Sequence, residues 1–318
     1  MEENKNEDGY LNLVKKIISH GELREGRNGK TKSLFGPQLR FDLVSEDGDC
    51  VLPLLTTKRV PYRLVLEELK WFSQGKTDNK TLLEKNVRIW KPNADAGPLW
   101  KGSDPSMGDL GPIYGFQWRH FGAEYKGFKT YDVDEEFGNP RSSYPYKSSQ
   151  YDNKGVDQLR NIVKELRENP GSRRAVMSAW NPIDLPKMTL PPCHVLSQYW
   201  IGKEGLYCHL YQRSADIGLG VPFNIASYAT LAHMIAKCLK IPARELVMSF
   251  GDCHIYEDHI DALTEQCKRE PRSFPKMIFR DDIPSEELWP DTLLCEYDDL
   301  FEIIGYEPHK KIKMDMVA

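Results

Sequence analysis

Two neighbouring stretches, His194-Val-Leu-Ser-Gln-Tyr-Trp-Ile201 and Leu206-Tyr-Cys-His-Leu-Tyr-Gln-Arg213, have the alternating pattern of strands that turn two different faces. Arg174-Ala-Val-Met-Ser-Ala-Trp180, just before them, reads as a third strand. Residues 223–239 follow as a helix that is apolar nearly all round, which predicts that it is buried. Because strands lead into a helix without a regular strand–helix–strand rhythm, we expect an α+β fold and not a doubly wound sheet.

Outside this stretch the chain predicts further elements and one insertion. Apolar spacing predicts helices over residues 10–19, 62–74 and 156–168, and residues 33–43 read as a strand. Residues 126–153 are rich in Gly, Pro, Ser, Tyr and charge, which predicts an exposed insertion loop. No repeat or low-complexity linker divides the chain, so we expect residues 1–318 to form a single catalytic domain.

The composition is that of a globular chain with an ordinary core. Of the 318 residues, 40% are hydrophobic, and the net charge of −4 gives no overall attraction to nucleic acid or an anionic membrane. Apolar runs such as Val51-Leu-Pro-Leu-Leu55 fall far short of the roughly 20 residues of a spanning helix. The polar, acidic N-terminus resembles no targeting peptide, and seven cysteines without a CxxC pair favour a reducing compartment. We therefore expect a cytoplasmic location, with the nucleus as an alternative.

Cys193 is the residue that points to covalent chemistry. It follows two prolines in Leu190-Pro-Pro-Cys-His194, so its backbone is restricted at the entrance of a strand. A thiol becomes a nucleophile where cations stabilise its thiolate. Arg213 ends the next strand, and we expect it to lie beside Cys193. The alternative is that Cys193 is a small buried hydrophobe, as most cysteines are.

Arginines near these strands predict a site for a phosphate dianion. Arg173 and Arg174 begin one strand, and Gln212-Arg-Ser214 ends another, so three guanidiniums and a hydroxyl are offered. The alternative is that Arg173 and Arg174 are solvated charges at the end of a strand.

Two further segments predict the recognition of a pyrimidine nucleoside. The loop that begins at Asp216 brings the amide of Asn224 to the start of the buried helix, and an amide can read an N–H beside a carbonyl. Alternatively, Asn224 only caps that helix. In Gly251-Asp-Cys-His-Ile-Tyr256, His254 and Tyr256 share a face and can hold a sugar hydroxyl, unless His254 is a satisfied core histidine.

Taken together, these segments resemble the thymidylate synthase family, in order and at matching spacing. The resemblance covers about residues 10–318 and is closest to eukaryotic and viral members. The stretches that carry it are Thr56-Thr-Lys-Arg59, Glu68-Leu-Lys-Trp71, Gly108-Asp-Leu-Gly-Pro-Ile-Tyr-Gly-Phe-Gln-Trp-Arg-His-Phe-Gly122, Gly155-Val-Asp-Gln-Leu159, Leu190-Pro-Pro-Cys-His194, Leu210-Tyr-Gln-Arg-Ser214, Gly220-Val-Pro-Phe-Asn-Ile-Ala-Ser-Tyr228, Gly251-Asp-Cys-His-Ile-Tyr256, Arg269-Glu-Pro-Arg272 and Gly305-Tyr-Glu-Pro-His309.

The resemblance implies a fold, an assembly and a reaction. The fold is a mixed sheet with helices packed on one side, and a face of the sheet joins two chains in a homodimer that shares arginines across its interface. The reaction is the reductive methylation of dUMP to dTMP, with 5,10-methylenetetrahydrofolate as donor of the carbon and the hydride. No metal is implied, and the sequence carries neither GxGxxG nor a cluster of metal ligands.

The resemblance also implies roles for individual residues. Cys193 adds to carbon 6 of the uracil, and the catalytic set is completed by Glu68, Tyr114, Asn224 and Arg213. The residues implied to bind dUMP are Arg27, Arg173, Arg174, Gln212, Arg213, Ser214, Asp216, Asn224, His254 and Tyr256. Those implied to bind the folate are Lys58, Ile89, Trp90, Asn93, Asp216, Leu219, Gly220, Phe223 and Ala318. Among them, Glu68 organises proton transfers at the base carbonyl and Lys58 steers the glutamate tail of the folate.

Three stretches depart from the family pattern. Glu25-Gly-Arg-Asn-Gly-Lys-Thr31 replaces the usual Asp-Arg-Thr-Gly-Thr-Gly-Thr, so Arg27 stands for the phosphate-binding arginine. Lys91 follows Trp90 where an aspartate is common, and the segment 126–153 is longer than the usual link.

Two rival functions remain at this stage. A pyrimidine hydroxymethylase shares the scaffold but lets water trap the methylene intermediate; Asn224 favours uracil over cytosine without excluding a uracil hydroxymethylase. A non-catalytic, RNA-binding relative is the second rival, although every candidate catalytic residue is present and the chain is acidic.

Overall fold

A computed structural model of the chain describes residues 4–26, 29–96, 108–127, 130–131, 148–149, 154–280, 289–290, 293–294 and 300–316. Arg27, Ala318 and most of the predicted insertion at 126–153 lie outside the described residues. Within them, no helix combines the length and the apolar run that crossing a membrane requires.

The central element is a seven-stranded mixed sheet. Six strands run in the order β1-β2-β9-β8-β7-β6, and β3 pairs with the first half of β9 while β2 pairs with its second half. Strands β8 and β9 are parallel, and the other neighbours in this sheet are antiparallel. The strand bounds are β1 Glu22–Gly26, β2 Gly29–Phe35, β3 Gln38–Asp42, β4 Thr130–Tyr131, β5 Ser148–Ser149, β6 Val176–Ser178, β7 His194–Gly202, β8 Gly205–Asp216, β9 Ala243–Tyr256, β10 Lys276–Phe279 and β11 Phe301–Ile304. The predicted α+β fold is confirmed.

The longest helix explains the one parallel pair. Parallel neighbours need a crossover connection, and α7 supplies it between β8 and β9. Of its 20 residues, 15 are buried, so the predicted buried helix is confirmed. The helix bounds are α1 Lys5–His20, α2 Tyr62–Ser73, α3 Asn79–Glu84, α4 Lys91–Asp95, α5 Tyr114–His120, α6 Gln158–Glu168, α7 Gly220–Leu239 and α8 Ile260–Gln266.

Several predicted boundaries were wrong for local reasons. The strand expected over 33–43 is broken at Gly36, whose φ of 80° turns the chain between β2 and β3. The strand expected over 174–180 keeps only Val176–Ser178, and the buried helix starts at Gly220 instead of 223. Within the predicted insertion 126–153, residues 130–131 and 148–149 form the antiparallel pair β4–β5, and the insertion itself stays a prediction.

A β-bulge lies at the start of β7. Its register against β8 shifts between His194 and Leu196, so Val195 is an extra residue in the pairing. Ser197 and Tyr199 are buried in the alternating pattern of a strand, and His194 is buried out of that alternation. The bulge therefore changes which face the first residues of β7 present.

Candidate active site

Cys193 lies where an anchored loop enters the sheet. The loop is tied at Thr189, whose N–H donates to the carbonyl of Leu110 over 3.0 Å. At its other end, the N–H of Arg213 in β8 donates to the carbonyl of Cys193 over 2.9 Å. Two of the three residues between these ties are prolines, so the backbone of Cys193 is held on both sides.

Arg213 both holds this loop and faces the thiol. Its Nε donates to the carbonyl of Pro192 over 2.8 Å and its Nη2 to that of Pro191 over 2.7 Å, while Nη2 lies 3.9 Å from Sγ of Cys193. Burial raises the pKa of the Cys193 thiol, and the charge of Arg213 and a contact with Tyr114 lower it. A guanidinium has five donors, so the two carbonyls leave donors for an anion.

A buried aromatic group backs the thiol. The hydroxyl of Tyr114 accepts the N–H of Cys193 over 2.6 Å, and the Tyr114 ring stacks on His194 with centroids 3.9 Å apart. Nδ1 of His194 lies 3.0 Å from the hydroxyl of Tyr228. Burial lowers the pKa of His194 to about 3, so this imidazole is neutral at physiological pH. The packing of these rings therefore holds Tyr114 beside Cys193 before any substrate binds.

Glu68 provides a buried carboxyl close to Trp90 and Tyr114. Its Oε1 accepts the indole N–H of Trp90 over 2.7 Å, and the ring of Trp90 packs edge-on against Tyr114 at 6.0 Å. Burial raises the pKa of Glu68 to about 7, although the bond from Trp90 lowers it. A carboxyl that titrates near neutral pH can both accept and return a proton.

Glu68→Gln is expected to stabilise the fold while it removes that proton carrier. The folded carboxyl keeps its proton up to about pH 7, whereas the model-peptide pKa is 4.5. The wild-type free energy of unfolding therefore falls as the pH rises between these values. The variant has no such group, so its advantage should grow from about zero near pH 4.5 to about 3 kcal/mol above pH 7. Urea unfolding of both proteins at pH 4.5 and 8, at equal concentration, checks this; an advantage independent of pH would contradict it.

Asn224 is oriented by a buried neighbour. Nε2 of Gln212 donates to Oδ1 of Asn224 over 2.9 Å. The helix begins at Gly220 with Leu219 as its N-cap, so Asn224 lies in the second turn and the capping alternative is excluded. An amide oxygen has two lone pairs, and Gln212 occupies one of them.

The remaining predicted folate residues lie around the start of α7 and near α4. Asp216, Leu219, Gly220 and Phe223 are half-buried along one turn, and Ile89 and Asn93 are half-buried on either side of Trp90. The ammonium of Lys58 is buried and donates to the carbonyl of Gly218. Burial lowers the pKa of Lys58 to about 8, and the charge of Asp216 raises it.

The sugar and phosphate candidates separate into two groups. His254 and Tyr256 lie on one face of β9 with ring centroids 5.3 Å apart, and Nδ1 of His254 lies 3.1 Å from Oδ1 of Asp252. Ser214, in β8, pairs with Asp252 in the sheet register. Arg173 and Arg174 are instead exposed at the end of the chain segment that leads to β6. The roles of these residues stay predictions.

Sequence reasoning missed the residues behind the site. His194 and Tyr228 belong to the family motifs, but no role was predicted for them. Trp180 was predicted only as the end of a strand, whereas the guanidinium of Arg213 lies 5.5 Å from the centroid of the Trp180 ring. The sequence did indicate that His194 lies near the site, because His194 directly follows Cys193. In the described part of the chain, no group of three or more His, Cys, Asp or Glu side chains is arranged to hold a metal ion.

Comparison with known families decides the identity of this site. The family model described as thymidylate synthase matches residues 8–318. The chain belongs to the thymidylate synthase family. It is 47% identical to the thymidylate synthase of Agaricus bisporus over 321 residues, 98% of each chain. It is also 47% identical to that of Saccharomyces cerevisiae over 326 residues, covering 98% of this chain and 97% of the yeast protein.

A viral member of the thymidylate synthase family is nearly as similar. The thymidylate synthase of Herpesvirus ateles is 45% identical over 322 residues, which is the full length of both chains. Fungal and viral relatives confirm the branch that the sequence motifs indicated. None of these relatives is named as a hydroxymethylase, so that alternative has no support from them.

Proposed function

We propose that the chain is a thymidylate synthase that methylates dUMP to dTMP with 5,10-methylenetetrahydrofolate and releases dihydrofolate. The observation that carries this is the half-buried thiol of Cys193, 3.9 Å from a guanidinium and beside the hydroxyl of Tyr114. Covalent catalysis at a pyrimidine needs a soft nucleophile, and a cation at this distance stabilises the thiolate form of a cysteine.

The chain's own residues supply binding, orientation and proton transfer. Arg213 binds the phosphate of dUMP with its remaining donors, which places carbon 6 of the base near Sγ. Addition of the thiolate at carbon 6 moves the electron pair to carbon 5, and Glu68 serves the proton transfers at the base carbonyl. Carbon 5 takes the methylene group of the folate and loses its proton, and hydride transfer from the folate, with loss of the Cys193 thiolate from carbon 6, leaves dTMP and dihydrofolate.

The residues that we propose bind the flat ring of the folate lie on either side of Trp90 and at the start of α7. Ile89, Leu219 and Phe223 offer partly exposed apolar surface, and the carboxylate of Asp216 lies at the same turn. The side chain of Asn93 adds a polar group on the α4 side. Partly exposed apolar side chains accompanied by a few polar groups are typical of a cofactor site.

Product analysis is the direct test. Purified protein incubated with dUMP and methylenetetrahydrofolate should form a product whose mass is that of dTMP, together with dihydrofolate seen by absorbance. A product heavier by one oxygen would assign hydroxymethylation, and no product would overturn the proposal.

Asn224→Asp is expected to shift base choice towards cytosine. The neutral amide of Asn224 can accept from the N–H of uracil and donate to its carbonyl, whereas cytosine offers an acceptor and an amino donor. Loss of one hydrogen bond with an unpaired partner costs about 1–3 kcal/mol, so the ratio of dCMP to dUMP turnover should rise roughly ten- to a hundredfold. Gln212 can still donate to the aspartate oxygen, so the side chain keeps its anchor. Steady-state rates on both nucleotides check this, and an unchanged ratio would mean that the base is read elsewhere.

We also propose a twofold homodimer built on the open face of the sheet. Trp200 is 49% exposed and Tyr211 is 39% exposed on β7 and β8, and Val176 of β6 is exposed on the same sheet. Arg173 and Arg174 are exposed nearby, where they can reach a phosphate in a second chain. A self-complementary face of this kind is what a twofold dimer uses. Light scattering at the working concentration should give twice the chain mass; a fully active monomer would rule the dimer out.

The cellular location is also a proposal. We place the enzyme in the cytoplasm, with the nucleus as an alternative, because the six cysteines in the described residues are all free thiols, as a reducing compartment maintains them. Fractionation of the native host with an antibody to the chain tests this.

A further inference from the structure

The turn between β8 and α7, on the folate side of the site, is held in place by hydrogen bonds from distant parts of the chain. Residues 217–219 connect β8 to α7, and Oδ1 of Asp216 accepts the N–H groups of Gly218 over 2.9 Å and Leu219 over 3.1 Å. Those bonds shape the turn internally. Its carbonyls at Ile217 and Gly218 accept hydrogen bonds from buried side chains of distant segments.

The first of these donors is Tyr10 in α1. Its hydroxyl donates to the carbonyl of Ile217 over 2.7 Å, and its side chain is fully buried. A buried carbonyl that loses its donor cannot turn to water without movement of its backbone. The hydroxyl of Tyr10 therefore fixes where Ile217, and with it the turn, can lie.

The second donor is Lys58, which is itself placed by α1. The carboxylate of Glu7 is fully buried and accepts the N–H of Thr57 over 2.7 Å and that of Thr56 over 2.8 Å. It also accepts both threonine hydroxyls, over 2.6 and 2.7 Å. These bonds hold the residues immediately before Lys58, whose ammonium then reaches the carbonyl of Gly218.

We propose that Tyr10 and Glu7 are positioning residues that set the affinity of the enzyme for the reduced folate. The proposal rests on the proposed function, because it assigns residues 217–219, between Asp216 and α7, to the folate side of the site. Neither residue belongs to the groups assigned to either substrate. Both act on the turn that carries Leu219 and leads to Phe223, whereas Cys193 lies just before β7 and Arg213 lies on β8.

Tyr10→Phe is the sharpest test, since it removes one oxygen atom from the core. We expect the KM for methylenetetrahydrofolate to rise about tenfold, the size of effect for one lost buried hydrogen bond. The kcat and the Kd for dUMP, the latter measured by calorimetry, should stay within about twofold. Tyr62→Phe is the matched control, because it also removes a buried hydroxyl, one that contacts Thr230 over 3.0 Å in another part of the core. The control should leave the folate KM unchanged.

Glu7→Gln provides a second variant with the same expected direction. An amide in place of the carboxylate would present N–H groups to some of the threonine donors, which loosens the segment before Lys58. Equal changes in both substrate constants, or a folate KM in Tyr10→Phe that matches wild type, would overturn the inference. If wild type itself forms no dTMP, the proposed function fails; if wild type is active and Tyr10→Phe behaves like it, only the positioning role fails.

Discussion

Cys193→Ser is expected to reduce dTMP formation by at least about a thousandfold while the protein stays folded and still binds dUMP. A serine hydroxyl at neutral pH is a far poorer nucleophile than a thiolate, and removal of a catalytic nucleophile has effects of this size or larger. The anchors around position 193 use its backbone, so the loop keeps its ties to Tyr114 and Arg213.

A trapped complex makes the assignment specific to this thiol. Wild type incubated with 5-fluoro-dUMP and methylenetetrahydrofolate should gain the mass of both ligands under denaturing conditions, and Cys193→Ser should gain neither. Cys50→Ser is the matched control, because Cys50 is another partly buried free thiol and is far from Cys193 in sequence. A serine variant at position 193 that kept a substantial part of the wild-type rate would exclude the covalent mechanism.

Mixing two inactive variants is expected to restore activity. If Arg173 serves the site of the other subunit, a hybrid of an Arg173→Glu chain and a Cys193→Ser chain has one complete site, with its thiol from the first chain and its arginine from the second. Random exchange makes half of the dimers hybrids, so an equal mixture should recover about a quarter of wild-type activity.

The separate variants set the baseline for this recovery. Each homodimer alone should be nearly inactive, and Lys80→Glu, a charge reversal at an exposed residue of α3, should be as active as wild type. Activity that stayed at the baseline after subunit exchange, with hybrids detected by mass, would mean that Arg173 serves its own chain or none.

The local parts of the site could be predicted from the sequence. Alternation in β7 and β8, with prolines before Cys193, was enough to place Arg213 beside the thiol, because neighbouring strands bring their ends together. The apolar pattern of α7 likewise predicted a buried helix. These are short-range signals that depend on period and on backbone restriction.

Long-range contacts left no such signal. Tyr114 contacts Cys193 across 79 residues and Trp90 contacts Glu68 across 22. Only the family resemblance indicated Tyr114, Trp90 and Glu68. The capping alternative for Asn224 failed because α7 begins four residues earlier, at Gly220. Glu7 gave no signal at all, since a lone glutamate near the start of a helix is normally an exposed one.

The extra residue in β7 determines which side chains near Cys193 are buried and which are accessible. Every residue before the bulge faces the side opposite to the one that simple alternation from Tyr199 would give it, so His194 packs inward beneath Tyr114. A regular strand with the same residues would instead turn His194 to the open face and bring Cys193 to the buried side. The nucleophile would then be lost without any change to the sequence, so the accessibility of Cys193 depends on the extra residue in β7.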